Sequence, residues 1–183
     1  MDRLSVAVAF DLLVDWGLLG LAIRHTHNIW LLNLAIVPQL LFSLWVLSGL
    51  GERPFPRLVI ALAVWSVLGI AIVEAIWVGL GTKWSVSLIA WSLVLLALCL
   101  WKFVDLLIQL DGESVYHQPA FWMLSAWVLM QGNHLTFHPL SSLFLQRLSL
   151  DWVLVPWFMN YSVGLLLTLS LSKTFLCLKS SSS

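Results

Sequence analysis

Charged residues are scarce in this sequence of 183 residues, and their scarcity argues against a soluble domain. Asp, Glu, Lys and Arg make up 10% of the chain, whereas they make up about 25% of an ordinary soluble domain. Nine basic residues balance nine acidic ones, so the chain has no net charge that would attract nucleic acid. We therefore set nucleic-acid binding aside.

Cysteine and the usual catalytic motifs are equally sparse. We interpret the two cysteines, Cys99 and Cys177, as inert packing groups. Glycine-rich phosphate loops are absent from the sequence, as are Ser/His/Asp and Cys/His arrangements at a recognisable spacing. The sequence therefore favours a protein that is not an enzyme, and it indicates no cofactor.

Hydrophobic residues dominate what remains. They make up 61% of the chain, and the mean hydropathy is +0.96. Apolar stretches of about twenty residues, the length that crosses a bilayer, recur along the sequence. We predict an all-α, polytopic transmembrane helical bundle of about six spans with short loops in residues 1–172. A disordered, Ser-rich cytoplasmic tail is predicted for residues 173–183.

The six predicted spans are separated by polar loops and turn residues. They are Leu4–Ile23, Ile29–Leu47, Leu58–Leu80, Trp84–Leu106 with a possible extension to Leu110, Pro119–Gly132 and Asp151–Leu171. The fifth stretch is short for a full crossing, so it either begins upstream at Val115 or re-enters from one side. Mixed apolar and polar residues near 139–150 predict a short helix lying in the membrane interface.

Three carboxylates inside predicted spans form a candidate ligand or ion path. Asp11 and Asp15 lie one turn apart on the first span, and Glu74 lies in the outer third of the third span. An acid inside a membrane is costly and needs a hydrogen-bond donor, a partner charge or a wet cavity. Two interpretations stay open. The acids either fix helix packing or form a path for an ion, a proton or a polar ligand.

Four histidines fall on the predicted outer side: His25, His27, His134 and His138. The i, i+4 spacing of the last two presents two imidazoles from one helical turn, which suits a metal site. The pair lacks the glutamate of an HExxH motif, and Pro139 disfavours a helix at that point. Solvated loop histidines and a proton relay are the alternatives. We further predict an outer vestibule in which Glu74 contacts at least one of these histidines.

Three short stretches carry a resemblance to a family. The run Asn28–Asn33 (NIWLLN), the run Pro119–Trp122 (PAFW) and Asn160 resemble a group of small multi-pass bacterial membrane proteins with no assigned function. The resemblance implies a membrane component that has no assigned catalytic residues and that associates with signalling proteins.

Three functional hypotheses follow from the sequence. The first is a non-enzymatic sensory or accessory membrane protein that acts with a protein partner or as a homo-oligomer. The second is a small-solute or ion transporter subunit that uses the intramembrane acids. The third is a metal-dependent intramembrane enzyme at the outer histidines.

The distribution of Lys and Arg predicts a protein of the cell (inner) membrane with both termini in the cytoplasm. The predicted N-terminal side holds Arg3, Arg53, Arg57, Lys102, Lys173 and Lys179, and the opposite side holds Arg24, Lys83 and Arg147. Cytoplasmic loops are the richer ones in Lys and Arg, so the N-terminal side is assigned to the cytoplasm.

This topology predicts different labelling of two loops. In a background where Cys99 and Cys177 are serine, Lys83→Cys should react with an impermeant thiol reagent added to intact cells, because Lys83 falls in an outer loop. Gly112→Cys should react only after the cells are opened, because Gly112 falls in an inner loop. Labelling of Gly112→Cys and not Lys83→Cys in intact cells would invert the topology.

Overall fold

The structure is a computed structural model of the chain. It describes residues 29–50, 53–80, 84–109 and 115–147, together with residues 162, 163, 165, 166, 169 and 172. The predicted first span, most of the predicted last span and the serine tail lie outside the described residues. The chain divides into two compact units, Met1–Leu95 and Leu96–Ser183, and we describe each by itself.

The described part of the chain contains four α-helices and one 3-10 turn. The helices are α1 (Ile29–Ser48), α2 (Arg57–Val78), α3 (Ser85–Gln109) and α4 (Pro119–Arg147), and the turn is Val115–His117. No strand occurs within these described ranges, so the prediction of an all-α fold is confirmed there.

Helices α1, α2 and α3 match the predicted second, third and fourth spans closely, and proline and glycine mark the two ends of α2. Pro56 precedes α2 with a φ of −55°, and its carbonyl accepts the first hydrogen bonds of that helix. Gly79 ends α2 with a φ of +81°, a conformation that side chains rarely adopt. The Gly79 N–H donates to the carbonyl of Ala75 at 3.1 Å. Helix α3 reaches Gln109, so the prediction that extends this span to Leu110 is closer than the one that ends it at Leu106.

Two of the described helices are long and apolar enough to cross a membrane. Helix α2 has 22 residues and α3 has 25, which correspond to about 33 and 38 Å of helix. The apolar stretch of α1, Asn33–Ser48, is shorter than a span. These findings are consistent with membrane association, and the number of spans is taken up as a proposal below.

The predictions for the region after residue 118 are wrong in part. Instead of a stretch ending near Gly132 and a separate interfacial helix near 139–150, the structure has one continuous helix of 29 residues, α4. It begins at Pro119, as expected for a residue that suits the first turn of a helix. Val115 lies in the preceding 3-10 turn rather than in an upstream extension of α4.

The polar residues in the middle of α4 do not end it, because helical backbone hydrogen bonds do not depend on side-chain polarity. The Thr136 hydroxyl donates to the Gly132 carbonyl at 2.6 Å, so it is satisfied within the helix. Gln131 is buried, with 1% of its surface exposed. Pro139 also lies inside α4, where its missing N–H removes one hydrogen bond from the helix. The expectation that Pro139 disfavours a helix at His138 is therefore wrong.

The first unit packs α1 against α2 through a narrow stripe. The buried residues of α2 are spaced three or four apart and so share one face: Ala63, Val67, Ala71 and Glu74. Large aliphatic side chains of α1 are buried with the same spacing: Ile36, Leu40, Leu44 and Leu47. In the second unit, the 3-10 turn packs on α4, where the Trp122 indole N–H donates to the Tyr116 carbonyl at 2.9 Å.

The positive φ at Gly79 predicts that alanine destabilises the first unit at Gly79 but not at Gly69. Gly79→Ala should lower the free energy of unfolding by about 1 kcal/mol, because a side chain strains this conformation. Gly69→Ala is the matched control, because a Cβ at Gly69 meets nothing within 4 Å and alanine favours the helix. Unfolding by SDS in mixed micelles measures both, and equal effects of the two changes would contradict the strain.

Candidate functional site

Glu74 of α2 is buried and binds the beginning of α3. Its exposed fraction is 9%. Its Oε1 atom accepts a hydrogen bond from the Val86 N–H at 3.1 Å. Its Oε2 atom accepts from the Ser87 N–H at 2.8 Å and from the Ser87 hydroxyl at 2.6 Å. The carboxylate therefore satisfies two of the amides that a helix leaves unpaired in its first turn.

Glu74 acts here in place of an ordinary N-cap residue. Such a residue is usually Ser, Thr, Asp or Asn, whose side chain accepts from the second or third amide of the helix. Trp84 precedes α3 and has no side-chain acceptor. Glu74 provides the missing acceptors from the neighbouring helix, where its negative charge also meets the positive end of the α3 dipole.

Asn33 of α1 fixes the same connection from another side. Its amide nitrogen donates to the Leu80 carbonyl at 3.1 Å, and its amide oxygen accepts from the Trp84 N–H at 3.2 Å. Asn33 is 1% exposed, so these bonds satisfy polar groups that have lost access to water. The indole N–H of Trp84 donates to the Gly79 carbonyl at 3.0 Å.

We name this group of interactions the connection clamp. It consists of Asn33 and Glu74 together with the backbone groups to which they bind: Leu80, Trp84, Val86 and Ser87. The clamp ties α1 and α2 to the beginning of α3. It brings together a predicted site residue, Glu74, with Asn33, which the sequence analysis did not select as a site residue.

An open apolar groove lies beside Glu74. Its volume is about 390 Å³. Among the described residues, its lining consists of Gly69, Ile70, Val73, Glu74, Trp77, Val78 and Val86. Glu74 is the one charged member of this set, and Trp77 is largely exposed, at 85%. We call this feature the Glu74 groove.

A second buried polar group lies in the C-terminal half of α3. Lys102 is 3% exposed and Asp105 is 9% exposed. The Asp105 carboxylate accepts a hydrogen bond from the Gln109 amide at 3.0 Å and acts electrostatically on the Lys102 ammonium. The sequence analysis counted Lys102 among the basic residues of the predicted cytoplasmic side. The structure buries its side chain, with Asp105 one turn away on the same helix.

Gln131 of α4 is a further polar residue that sequence reasoning missed. Its side-chain oxygen is buried and has no hydrogen-bond partner among the residues that the structure describes. Amide side chains in apolar stretches provide a signal for such positions, because a buried amide requires partners. The sequence does not indicate which partner each one finds.

The structure places the predicted site residues unevenly. Asp11, Asp15, His25 and His27 lie outside the described residues, so the ion path through both aspartates and the complete histidine cluster stay predictions. His134 and His138 lie one turn apart on α4. No group of three or more potential metal ligands occurs within the described ranges. The donors to Glu74 in those ranges are Val86 and Ser87 rather than a histidine.

Comparisons of the chain with protein-family models, with curated proteins and with solved structures found no match. They therefore add nothing to the family resemblance, and the functional argument depends on the residues themselves.

The clamp predicts that removing its carboxylate destabilises the protein. Glu74→Ala should lower the free energy of unfolding by about 1–3 kcal/mol, because it leaves the part-buried amide of Val86 and the buried amide of Ser87 without their acceptors. SDS titration in mixed micelles measures the change. Ser66→Ala is the control, because the Ser66 hydroxyl bonds to the carbonyl of Ala63 within its own helix. It should have little effect.

A double-mutant cycle tests whether Glu74 acts through Ser87. The two single changes, Glu74→Ala and Ser87→Ala, share one hydrogen bond between side chains. Their combined effect should therefore fall short of the sum of the single effects by about 1 kcal/mol. Additive effects would contradict the arrangement of the clamp.

Proposed function

We propose that this chain is a multi-pass protein of the cell (inner) membrane. We further propose that it is a non-enzymatic sensory or accessory component that acts with a protein partner or as a homo-oligomer. The observation that carries the proposal is the apolar exterior of α2. Its largest exposed side chains include Leu58 (69%), Leu62 (61%), Trp65 (69%), Ile76 (76%) and Trp77 (85%).

A surface of this kind requires an apolar environment. Only 17% of the apolar window of α2 is buried inside the protein. Exposing apolar surface to water costs about 25 cal/mol per Å², so a contiguous face of this size indicates lipid or another protein. Lipid satisfies this requirement for a helix long enough to cross the bilayer.

The proposed topology has six spans and places both termini in the cytoplasm. Its support is the basic bias of the loops together with the length of α4. With 29 residues, α4 is about 43 Å long, which exceeds the bilayer core of about 30 Å. This length supports counting α4 as the fifth span, even though its central residues are polar.

The connection clamp supports a structural role for Glu74 over a role in an ion path. Neutral groups donate three hydrogen bonds to the carboxylate at the beginning of α3. An acid that carries an ion through the membrane must exchange its partners during transport. An acid with this structural role does not serve as a member of the ion path, so the transporter hypothesis loses one of its three acids and is weakened. The accessory role is the one that the described residues favour.

Membrane exposure of α2 predicts a strong depth dependence for an introduced charge. Trp65 and Leu58 are equally exposed, at 69%, but Trp65 lies nearer the middle of the helix. Trp65→Lys should destabilise the inserted protein by about 2.5–3.5 kcal/mol, the cost of a lysine near the bilayer centre. Leu58→Lys, beside Arg57, should be tolerated because its amine reaches the headgroups.

The amount of chain that resists alkaline extraction from membranes measures this effect. In a water-soluble protein, both substitutions would fall on the surface and have similarly small effects. Equal behaviour of Trp65→Lys and Leu58→Lys would therefore contradict the membrane assignment.

The proposed accessory role predicts a stable assembly. The full chain, purified from its own membranes in lipid nanodiscs, should carry a partner protein at fixed stoichiometry or should form a homo-oligomer. The mass of the assembly and its protein content measure this. A monomer without a partner would contradict the proposal. Solute transport in liposomes would favour the transporter hypothesis, and stoichiometric zinc or iron would favour the enzyme hypothesis.

A further inference from the structure

Two exposed arginines flank the end of the loop that joins α1 to α2. Arg53 lies in this loop, Arg57 is the first residue of α2, and both side chains are exposed. The first turn of α2 contains no acidic residue. Arg57 follows Arg53 by four positions, so their Cα atoms are at most about 14 Å apart. Two positive charges therefore lie close together at this end of the helix pair.

The residues between the two arginines hold the loop in place. Phe55 is buried, with 5% of its surface exposed, so it anchors the loop to the protein. Pro54 and Pro56 lie on either side of it, and each proline ring restricts the φ angle of its residue. A segment fixed in this way loses little conformational freedom when a ligand binds to it. We name residues 53–57 the arginine loop.

The arginine loop is continuous with the apolar exterior of α2. Arg57 and Leu58 are exposed, and the next turn of the helix exposes Ala61 and Leu62. Trp65 continues the same exposed face, at 69%. We have proposed that this exterior contacts lipid tails. With the tails against Leu58 and Leu62, the Arg57 guanidinium lies at the level of the lipid headgroups.

A tryptophan of α1 marks the same level of the membrane. Helix α1 ends at Ser48 and the chain then returns through the arginine loop, so the end of α1 and the beginning of α2 lie on one side. Trp45 lies three residues before the end of α1 and is 40% exposed. Tryptophan is enriched where the bilayer meets water. Its position agrees with a headgroup region at this end of the helix pair.

Charge complementarity favours an anionic headgroup at the arginine loop. A guanidinium binds a phosphate group through two parallel N–H bonds, and it is less strongly hydrated than an ammonium. A zwitterionic headgroup carries a cation beside its phosphate, so its net attraction to two arginines is smaller. An anionic phospholipid offers the phosphate without that cation, together with tails that suit the exterior of α2.

We infer that the arginine loop binds the headgroup of an anionic phospholipid in the cytoplasmic leaflet. Arg53 and Arg57 contact its phosphate, and its tails pack on α2 beside Leu58 and Leu62. The inference rests on the proposed membrane location of the chain. It deepens that proposal, because it specifies the class of lipid that this end of α2 selects.

Phosphatidylglycerol is the probe, and phosphatidylcholine with the same tails is its zwitterionic counterpart. Native mass spectrometry of the purified full chain, titrated with either lipid in detergent, measures the affinity for each. We expect phosphatidylglycerol to bind about fivefold more tightly or better, because each arginine near a membrane surface attracts anionic lipid by about that factor. Equal affinity for the two lipids would overturn the inference.

Substitutions of the arginines locate the binding. Arg57→Gln removes one charge and should weaken phosphatidylglycerol binding about fivefold, whereas Arg57→Lys keeps the charge and should weaken it less. Arg147→Gln is the matched control, because it makes the same change at the last residue of another helix, α4. It should stay within about twofold of the unchanged protein. Equal losses in Arg57→Gln and Arg147→Gln would overturn the inference.

Arg53→Gln tests the loop without altering α2, in case Arg57→Gln fails to fold. It should also weaken phosphatidylglycerol binding about fivefold, because it removes the second positive charge. Unchanged binding by a folded Arg53→Gln variant would overturn the inference.

Inorganic phosphate distinguishes a lipid headgroup from a free anion. At matched ionic strength, phosphate should displace phosphatidylglycerol no more than chloride does, because free phosphate lacks the tails that pack on α2. Stronger displacement by phosphate would make the loop a site for a free anion and would overturn the inference.

Failure of this inference is distinguishable from failure of the proposed function. Equal behaviour of Trp65→Lys and Leu58→Lys in alkaline extraction would remove the membrane location. Equal affinity for the two lipids, with a loss in Trp65→Lys alone, would keep the membrane location and remove only the selection of anionic lipid.

Discussion

The hydrogen bonds between the Glu74 carboxylate and the first amides of α3 determine how the first unit connects its helices. A helix leaves its first four N–H groups without partners inside the helix, and an apolar environment has no water to satisfy them. Trp84 has no acceptor at the position of the N-cap, so α3 depends on an acceptor from elsewhere in the chain. Glu74 provides it, and Asn33 satisfies the neighbouring groups of Leu80 and Trp84. Burying the Glu74 carboxylate costs free energy, but leaving the first amides of α3 without acceptors would cost more.

The ends of the first three described helices were predictable from the sequence, and the extent of α4 was not. All three are long apolar stretches, and at α2 the flanking Pro56 and Gly79 add a strong signal, because these two residues restrict or permit particular backbone conformations. In α4 the change from apolar to polar residues near Gly132 was interpreted as an end of the helix. Polarity is a weak signal of helix ends when hydroxyls such as that of Thr136 bond to the helix's own carbonyls.

The candidate site was predictable only in part. Glu74 was identifiable because an acid inside an apolar stretch must have partners, but its partners were not, since Val86 and Ser87 lie beyond a helix connection with no sequence periodicity. The same limit applies to Asn33, whose partners lie in the connection between α2 and α3. Lys102 was assigned to the predicted cytoplasmic side on the basis of its position in the sequence alone. Its burial beside Asp105 depends on packing that the sequence does not reveal.

The connection clamp also explains why a carboxylate suits position 74 better than a single neutral acceptor. A carboxylate has about four acceptor positions, two on each oxygen, whereas a hydroxyl or amide oxygen has two. Glu74 uses both of its oxygens, because Oε1 accepts from the Val86 N–H while Oε2 accepts from the N–H and the hydroxyl of Ser87. A side chain with one acceptor oxygen would leave at least one of these three donors without a partner from position 74.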